Sequence, residues 1–492
     1  MLRIYNTLSR TSEEFKPITP GKVSIYVCGP TVYGLLHVGN FRGQVFFNFV
    51  RNWLEHLGYH VDYALNFTDV DDKIINKANE EKKSPSEVSE YYIEEYKKDF
   101  KSLALRMHDR NPKVTEFMPQ IVTFISNLIE KKKAYTSDGV ASGLNDVNFS
   151  ISDFKDYGKL SGRKPEELQS GVRIEVNEKK KNPLDFALWK SAKDGEISWP
   201  SPWGQGRPGW HIECSAMIKG IYGEQIDIHG GGLDLMFPHH ENEIAQSESC
   251  STSGKFSNYW MHWNMIQFSG SKMSKSLGNI IYMRDFLKDH HAEVYKWMML
   301  TPHYRSTADY SEDTIHQAVS GLARVYSSLA LAESIFLHVN EREFVAEQKY
   351  HEELQAAWNT IEAAFNDDFG TPSAFAVLFE VVRKFNAQFR RGMKVTPAMA
   401  GKAFQFFEFI KKFGGFMSLF QEYPTKFLIE LDNQLLKKLG HQRADIDVLV
   451  AERARVRDGK DFAKADEIRK QLTEMHINVS DLATGSFWEV MK

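Results

Sequence analysis

The sequence predicts an α/β domain broken by an insertion, followed by an all-α bundle and a small terminal unit. Three observations carry that reading. An apolar run, Lys22–Gly29 (KVSIYVCG), passes through a glycine turn into a helix-period stretch, Phe41–Leu57, and a second strand-like run follows at Tyr59–Phe67. From Tyr135 to about Pro208 the texture changes to Gly, Ser, Asp and Lys. From about Ser311 almost to Phe420 the apolar spacing is helical, in four successive segments.

Taken in order, Lys22–Gly29 reads as a buried strand and TVYGLLHVGN as the turn after it. His37, Gly39 and Asn40 stand just before the helix. Strand, turn and helix open a nucleotide-binding α/β unit. A helix N-terminus offers free N–H groups to phosphate, and an imidazole beside it adds another donor. Tyr59–Phe67 ends in TDVDDKII, where Thr68, Asp69, Asp71 and Asp72 cluster. Such acids either cap the next helix or line the C-terminal edge of a parallel sheet, where α/β ligand sites form. Helices are expected over about Ser84–Leu105 and Pro119–Lys133. Within the insertion, Lys179, Lys180 and Lys181 form a solvated basic loop or an RNA contact. Gln225–His229 and Tyr259–Phe268 read as further strands. In GSKMSKSLGN, Lys272 and Lys275 lie among serines between Gly270 and Gly278, a mobile cationic loop suited to closing over a polyphosphate. After the bundle, a helix over Asp445–Met475 interleaves arginines and lysines with acids.

The stretch Gly209–Glu243 holds the residue types that bind zinc: Cys214, His239 and Glu243. Pro238 stands where a first helical turn begins, and His239 and Glu243, spaced i and i+4, then share a helix face. His240, three positions from Glu243, is the alternative imidazole. Cys214 arrives from the preceding segment across a turn at Gly230-Gly231-Gly232, and Cys28 at the end of the first strand is the choice for the fourth ligand. Two thiolates, an imidazole and a carboxylate make a tetrahedral zinc site. Cys250, in SESCSTS, reads as a loop thiol outside it.

Three cysteines without repeated spacing exclude a disulfide framework and fit a reducing compartment. The N-terminus has no apolar signal core, and no run of about 18 apolar residues exists to span a membrane. A net charge of -4 leaves any nucleic-acid binding to local basic surfaces.

HVGN together with KMSKS resembles the ATP signatures of class I aminoacyl-tRNA synthetases. YVCGPTVY, NFTDVDDKII, RPGWHIECSAM, IDIHGGGLDLMFPHHENEIAQSE, HYRS with DYSE, and KDFAKADEIRKQL narrow it, over nearly the whole chain, to the cysteinyl-tRNA synthetase family. The resemblance implies a Rossmann-type α/β catalytic domain with an insertion, an all-α bundle and a small C-terminal anticodon-binding domain. It places the first catalytic half at 1–134, an acceptor-end insertion at 135–208 and the second half with the zinc site at 209–250. The KMSKS loop and stem-contact region follow at 251–310, the anticodon-stem bundle at 311–425 and the anticodon domain at 426–492.

It also implies one Zn2+ per chain on Cys28, Cys214, His239 and Glu243, choosing His239 over His240. Gly29, Thr68, Trp210 and Asp234 line the cysteine pocket beside Cys28. ATP, with Mg2+, falls to His37, Gly39, Asn40, Lys272, Ser274, Lys275 and Ser276, among which His37, Asn40, Lys272 and Lys275 are catalytic. Asn40 stands where the signature commonly has histidine, which keeps a donor and removes a titratable group. Arg457, Asp466 and Asp481 fall near the anticodon. The implied partners are L-cysteine, ATP and tRNA(Cys), handled by a cytoplasmic monomer that touches no membrane.

Other classes compete. A ligase of the mycothiol type, joining cysteine to an amino sugar, shares the zinc and ATP motifs but has no use for the bundle and terminal unit. A zinc hydrolase lacks an HExxH run here and leaves KMSKS without a purpose. A non-catalytic RNA-binding protein with structural zinc is the third.

Overall fold

The computed structural model describes residues 1–140, 143–163, 180–268, 271–272, 280–340, 344–345, 347–482 and 485–492, with the side chains of 271, 272, 482 and 485 left aside. The chain forms two compact units: Met1–Met265 with Tyr304–Thr307, and Ile266–His303 with Ala308–Lys492.

The first unit is built on a four-stranded parallel sheet in the order Ser257–Trp263, Ile226–Gly232, Lys22–Val27, His60–Leu65. The chain leaves the strand Lys22–Val27 for its neighbour on one side and returns much later on the other. That reversal opens a crevice at the C-terminal strand ends, the place where such sheets bind ligands. Every residue of Ile226–Gly232 is buried, as expected of a parallel strand covered on both faces. The edge strand Ser257–Trp263 is covered by the N-terminal hairpin: Thr7 N–H donates to the Trp260 carbonyl at 2.9 Å and Trp260 N–H to Asn6 Oδ1 at 3.0 Å.

Two expectations are corrected here. The three glycines Gly230–Gly232 are not a turn but the end of the central strand. A Cβ on Gly230 would lie 2.4 Å from the Phe47 ring, and one on Gly231 2.3 Å from His240, so strand and helices approach too closely for side chains. The strand expected over Tyr259–Phe268 is two, Ser257–Trp263 and Ile266–Phe268. The first belongs to the parallel sheet, whereas the second pairs with Ala308–Tyr310 in the other unit.

The helix Val38–His56 covers the sheet with Phe41, Val45, Phe47, Val50, Trp53 and Leu54, all buried. It also buries two cations. Arg42 donates to the carbonyls of Asn264 and Met265 at 2.7 Å, and Arg51 pairs with Asp109. The insertion is an antiparallel sheet of four strands, Ala134–Asp138, Asn145–Phe149, Phe186–Ser191 and Gly206–Pro208. Lys179 lies outside the described residues. Lys180 is half-buried on the Asp185 carbonyl at 2.8 Å, and Lys181 lies over the Tyr135 ring.

The second unit is helical. Glu312–Phe336, Gln348–Asn366, Thr371–Gln388 and Pro397–Met417 form the expected bundle. The buried Glu293 accepts the N–H groups of Phe420 and Gln421 at 2.9 and 3.2 Å and so fixes the chain beyond the last of these helices. Pro424–Leu439 follows, with Phe427 stacked on Tyr326 at 3.7 Å. The single helix expected over Asp445–Met475 is two, Arg443–Asp458 and Phe462–Glu474. Lys460 between them has φ 62°, and Asp461 caps the second by accepting from the Lys464 N–H. A hairpin, Ile477–Leu482 with Gly485–Val490, closes the chain. Among the described residues no helix is long and apolar enough to cross a membrane.

Candidate metal centre and amino-acid site

Cys28 follows the strand Lys22–Val27, and its N–H donates to the Gly230 carbonyl at 3.1 Å. That contact puts its thiol in the crevice where the strand order reverses. Cys214 comes from the helix Trp210–Tyr222. Irregular turns over Leu233–Leu235 and Met236–His240, broken at Phe237, lead into the helix Glu241–Cys250. His239 and Glu243 therefore straddle the helix start and still meet, with Nε2 3.0 Å from Oε1. Cys28 Sγ is 3.6 Å from Cys214 Sγ and 3.4 Å from Glu243 Oε1. The donor atoms of Cys28, Cys214, His239 and Glu243 all lie within 4.8 Å of one another, and all four residues are buried.

The atoms facing away from this centre are also held. His239 Nδ1 is 3.1 Å from His211 Nδ1, and Glu243 Oε2 is 2.9 Å from His229 Nε2. Ligands oriented by outer partners, with two thiols, an imidazole and a carboxylate in one buried place, fit a zinc ion. The charges agree. The Cys28 hydrogen bond, opposed by burial and helped by His239, draws the Cys214 thiol down to about 6. Burial opposes a charged His239, but Glu243 and Cys214 raise it to about 10. Burial likewise opposes an ionised Glu243, yet His229 and His239 hold its carboxyl well below the usual range. Burial pushes the Cys28 thiol well up.

Two imidazoles stand closer than the sequence indicates. His229 and His240 form, with Cys28 and Glu243, a second group that overlaps the first. His240 Nδ1 meets His262 Nε2 at 2.8 Å, and burial keeps the imidazole of His262 neutral, down to about 3. Sequence reasoning missed His229 because it sits in an apolar strand. Cys250 is not a loop thiol: it ends the helix Glu241–Cys250 and is buried.

Of the residues expected to line the amino-acid pocket, Trp210 touches the cluster through His239, and Gly29 follows Cys28 in the chain. Trp210 stacks on His239 with ring centroids 4.3 Å apart and remains 39% exposed, one face on the cluster and one toward solvent. Gly29 N–H donates to Asn66 Oδ1 at 2.9 Å, and a Cβ there would lie 1.7 Å from the Asn66 carbonyl oxygen. Thr68 is buried, its hydroxyl 3.3 Å from Glu213 Oε2. Asp234 is exposed, its carboxyl folded against Gly232. Of the two readings of the acidic run the structure shows the cap: Asp71 caps the helix Asp72–Glu81, and Asp72 pairs with Arg207 and Lys190 of the insertion.

His37 caps the helix Val38–His56, and its N–H donates to Asn40 Oδ1 at 3.0 Å, so Asn40 fixes the helix start. Gly39 lies in the first turn. Lys272 belongs by its backbone to a two-residue strand beside Ile266–Phe268, and Ser274, Lys275 and Ser276 lie outside the described residues. In the terminal unit, Arg457 reaches Asp481 at 2.6 Å, and the buried Arg453 holds both carboxyl oxygens at 2.7 and 3.0 Å. Those hydrogen bonds draw Asp481 down to about 2. Asp466, exposed on the next helix, acts on Arg453 through its charge.

The profile of the tRNA synthetases class I (C) catalytic domain matches residues 14–320, and that of the DALR domain residues 360–421. The chain resembles a cysteine–tRNA ligase of Bdellovibrio bacteriovorus, 61% identical over 492 residues and covering all of both chains. One from Geobacter metallireducens is 43% identical over 491 residues, 99% of each. In fold it is similar to Mycobacterium tuberculosis methionyl-tRNA synthetase in complex with methionyl-adenylate, with a TM-score of 0.61, 13% identity, and coverage of 86% of this chain and 94% of that one. Kinship that runs from end to end, through catalytic sheet and helical region alike, places the chain in the cysteine–tRNA ligase family of class I aminoacyl-tRNA ligases.

Proposed function

We propose that the protein joins L-cysteine to tRNA(Cys) in two steps. The substrate carboxylate attacks the α-phosphorus of ATP, and the bond to the β-phosphate breaks to give cysteinyl-adenylate and pyrophosphate. The terminal adenosine hydroxyl of the tRNA then attacks the activated carbonyl, and AMP leaves. The observation that carries this reading is the buried cluster Cys28, Cys214, His239 and Glu243, set beside Gly29 and Trp210 where the strand order reverses.

Such chemistry depends on positioning and on stabilising charge. His37 and the helix N-terminus it caps are set toward the triphosphate, with Asn40 keeping that helix start in shape. Lys272 and Lys275, with Ser274 and Ser276, neutralise charge as it moves onto pyrophosphate, and Mg2+ accompanies the ATP. Thr68, Asp234 and Gly29 orient the amino acid, and Trp210 closes one side. Zinc, when held by the four ligands, supplies a soft Lewis acid that prefers a thiolate to the hydroxyl of serine, and a 10⁴-fold preference corresponds to about 5.5 kcal/mol. With that selection no editing domain is needed, and the insertion 135–208 serves the acceptor end. The three free cysteines fit a cytoplasmic setting, and the protein acts as a monomer.

X-ray absorption on the zinc-loaded protein tests the centre. Two sulfur scatterers at about 2.3 Å with lighter ligands are expected, and three once cysteine is added. A sulfur shell unchanged by saturating cysteine would sink thiolate recognition.

The bundle, 311–425, is assigned to the anticodon stem and the end, 426–492, to the anticodon, with Arg457, Asp466 and Asp481 reading it. Arg457 is 46% exposed and presents planar donors. Arg457→Ala is expected to lower tRNA(Cys) charging about tenfold, ~1.4 kcal/mol, and to leave pyrophosphate exchange unchanged. Charging at the wild-type rate would remove Arg457 from the interface.

A further inference from the structure

The insertion grips the helix Glu241–Cys250 itself. Glu241, the first residue of the helix Glu241–Cys250, is fully buried. Its Oε1 accepts the backbone N–H groups of Gly158 at 2.9 Å and Leu160 at 3.4 Å, and its Oε2 accepts that of Ser161 at 2.8 Å. Asn242, also buried, accepts the Tyr157 hydroxyl at 2.5 Å. Lys159 pairs with Glu248, and Arg163 lies over the Phe237 ring at 4.7 Å. One short loop therefore touches the chain before His239, between His239 and Glu243, and after Glu243. The loop is shaped for this. Gly158 has φ +97°, and a Cβ there would lie 2.0 Å from the Arg163 carbonyl oxygen.

The metal helix needs such a hold. The turns leading into it are irregular and break at Phe237, so no regular helix N-terminal to His239 sets the rotation of its ring against Cys28 and Cys214. Glu241 stands two residues from each ligand, about 200° around the helix from Glu243, and leaves on the far face. A buried carboxyl group satisfied by three backbone donors is a stiff attachment, since each donor that loses it is left unpaired out of water.

We infer that Glu241 is a positioning residue for cysteine recognition: it straps the insertion loop Tyr157–Ser161 to the metal helix and so fixes the aim of His239 and Glu243. The inference rests on the metal reading above. It gives the insertion a task within the amino-acid site.

The test uses full-length, zinc-loaded protein with Glu241→Gln and, separately, Tyr157→Phe. The glutamine amide keeps one acceptor and turns its NH2 toward backbone N–H groups. Tyr157→Phe loosens the strap from the insertion side, alters nothing on the metal helix, and decides the matter alone should Glu241→Gln fail to fold. Two quantities are measured: the rate at which zinc passes to the chelator 4-(2-pyridylazo)resorcinol, and the KM values for cysteine and ATP in pyrophosphate exchange. Zinc release about tenfold faster and a cysteine KM about tenfold higher are expected for Glu241→Gln, with a smaller change in the same direction for Tyr157→Phe and the ATP KM unmoved. A purely structural role would lower the amount of active protein and leave the zinc rate and both KM values as in wild type. That outcome, or an equal rise in both KM values, overturns the inference. Wild-type protein that takes up no zinc overturns the metal reading instead, and the strap is then judged by the split between the two KM values.

Discussion

Cys214→Ser is expected to lower kcat/KM for cysteine in pyrophosphate exchange about 10³-fold, ~4 kcal/mol of transition-state stabilisation. The size follows from the surroundings. Cys214 is buried, its thiol 3.6 Å from that of Cys28 and drawn down to about 6 by the Cys28 hydrogen bond, against burial and with help from His239. A serine hydroxyl does not ionise near neutrality. The variant would lose one thiolate donor and keep a single sulfur, that of Cys28, for zinc. Zinc content should fall with the rate. Stripping zinc from the wild-type protein and restoring it should reproduce and reverse the loss, which separates a metal effect from misfolding. Exchange within tenfold of wild type in Cys214→Ser would show that the cluster does not serve the reaction.

Lys275→Ala is expected to cost about 10²-fold in the rate of adenylate formation, ~2.7 kcal/mol, with cysteine affinity little changed. The reason is chemical. Pyrophosphate gains charge as the α–β bond breaks, and a cation beside the phosphates acts on that charge and not on the bound amino acid. Pre-steady-state adenylate formation measures the step directly. A wild-type rate in Lys275→Ala would reduce the Gly- and Ser-flanked loop to bystander structure.

The four residues of the candidate metal centre were legible because each belongs to a residue type with few other uses in a buried place and because His239 and Glu243 keep helical spacing across an irregular turn, while the choice of His239 over His240 came from the family resemblance. The helix Val38–His56 and the bundle were legible from apolar period alone. What escaped has physical reasons. Gly230–Gly232 carry no side chains to show a strand period, and only the closeness of Phe47 and His240 explains them. The break at Lys460 leaves the spacing of apolar residues on either side nearly in phase, so the two helices read as one. His229 and Glu241 act through partners remote in sequence, the first through the oxygen of Glu243 turned away from the centre, the second through a loop of the insertion. Nothing in a linear pattern announces such partners. Lys275, conversely, was singled out from sequence and lies outside the described residues.

The order in which the chain is made bears on the central sheet. Ser24 and Asp227, hydrogen-bonded at 2.8 Å, are 203 residues apart. At about 5–20 residues per second, the strand Lys22–Val27 waits roughly 10–40 s on the ribosome for Ile226–Gly232, with the insertion synthesised in between. During that interval it has only His60–Leu65 beside it, and its other edge is bare. Cys28 is then a solitary thiol at an unfinished sheet, exposed to oxidation and to adventitious metal. The candidate metal centre cannot be completed before Glu243 is made, about half-way along the chain, and nascent chains stalled before residue 243 should be the ones most dependent on chaperones.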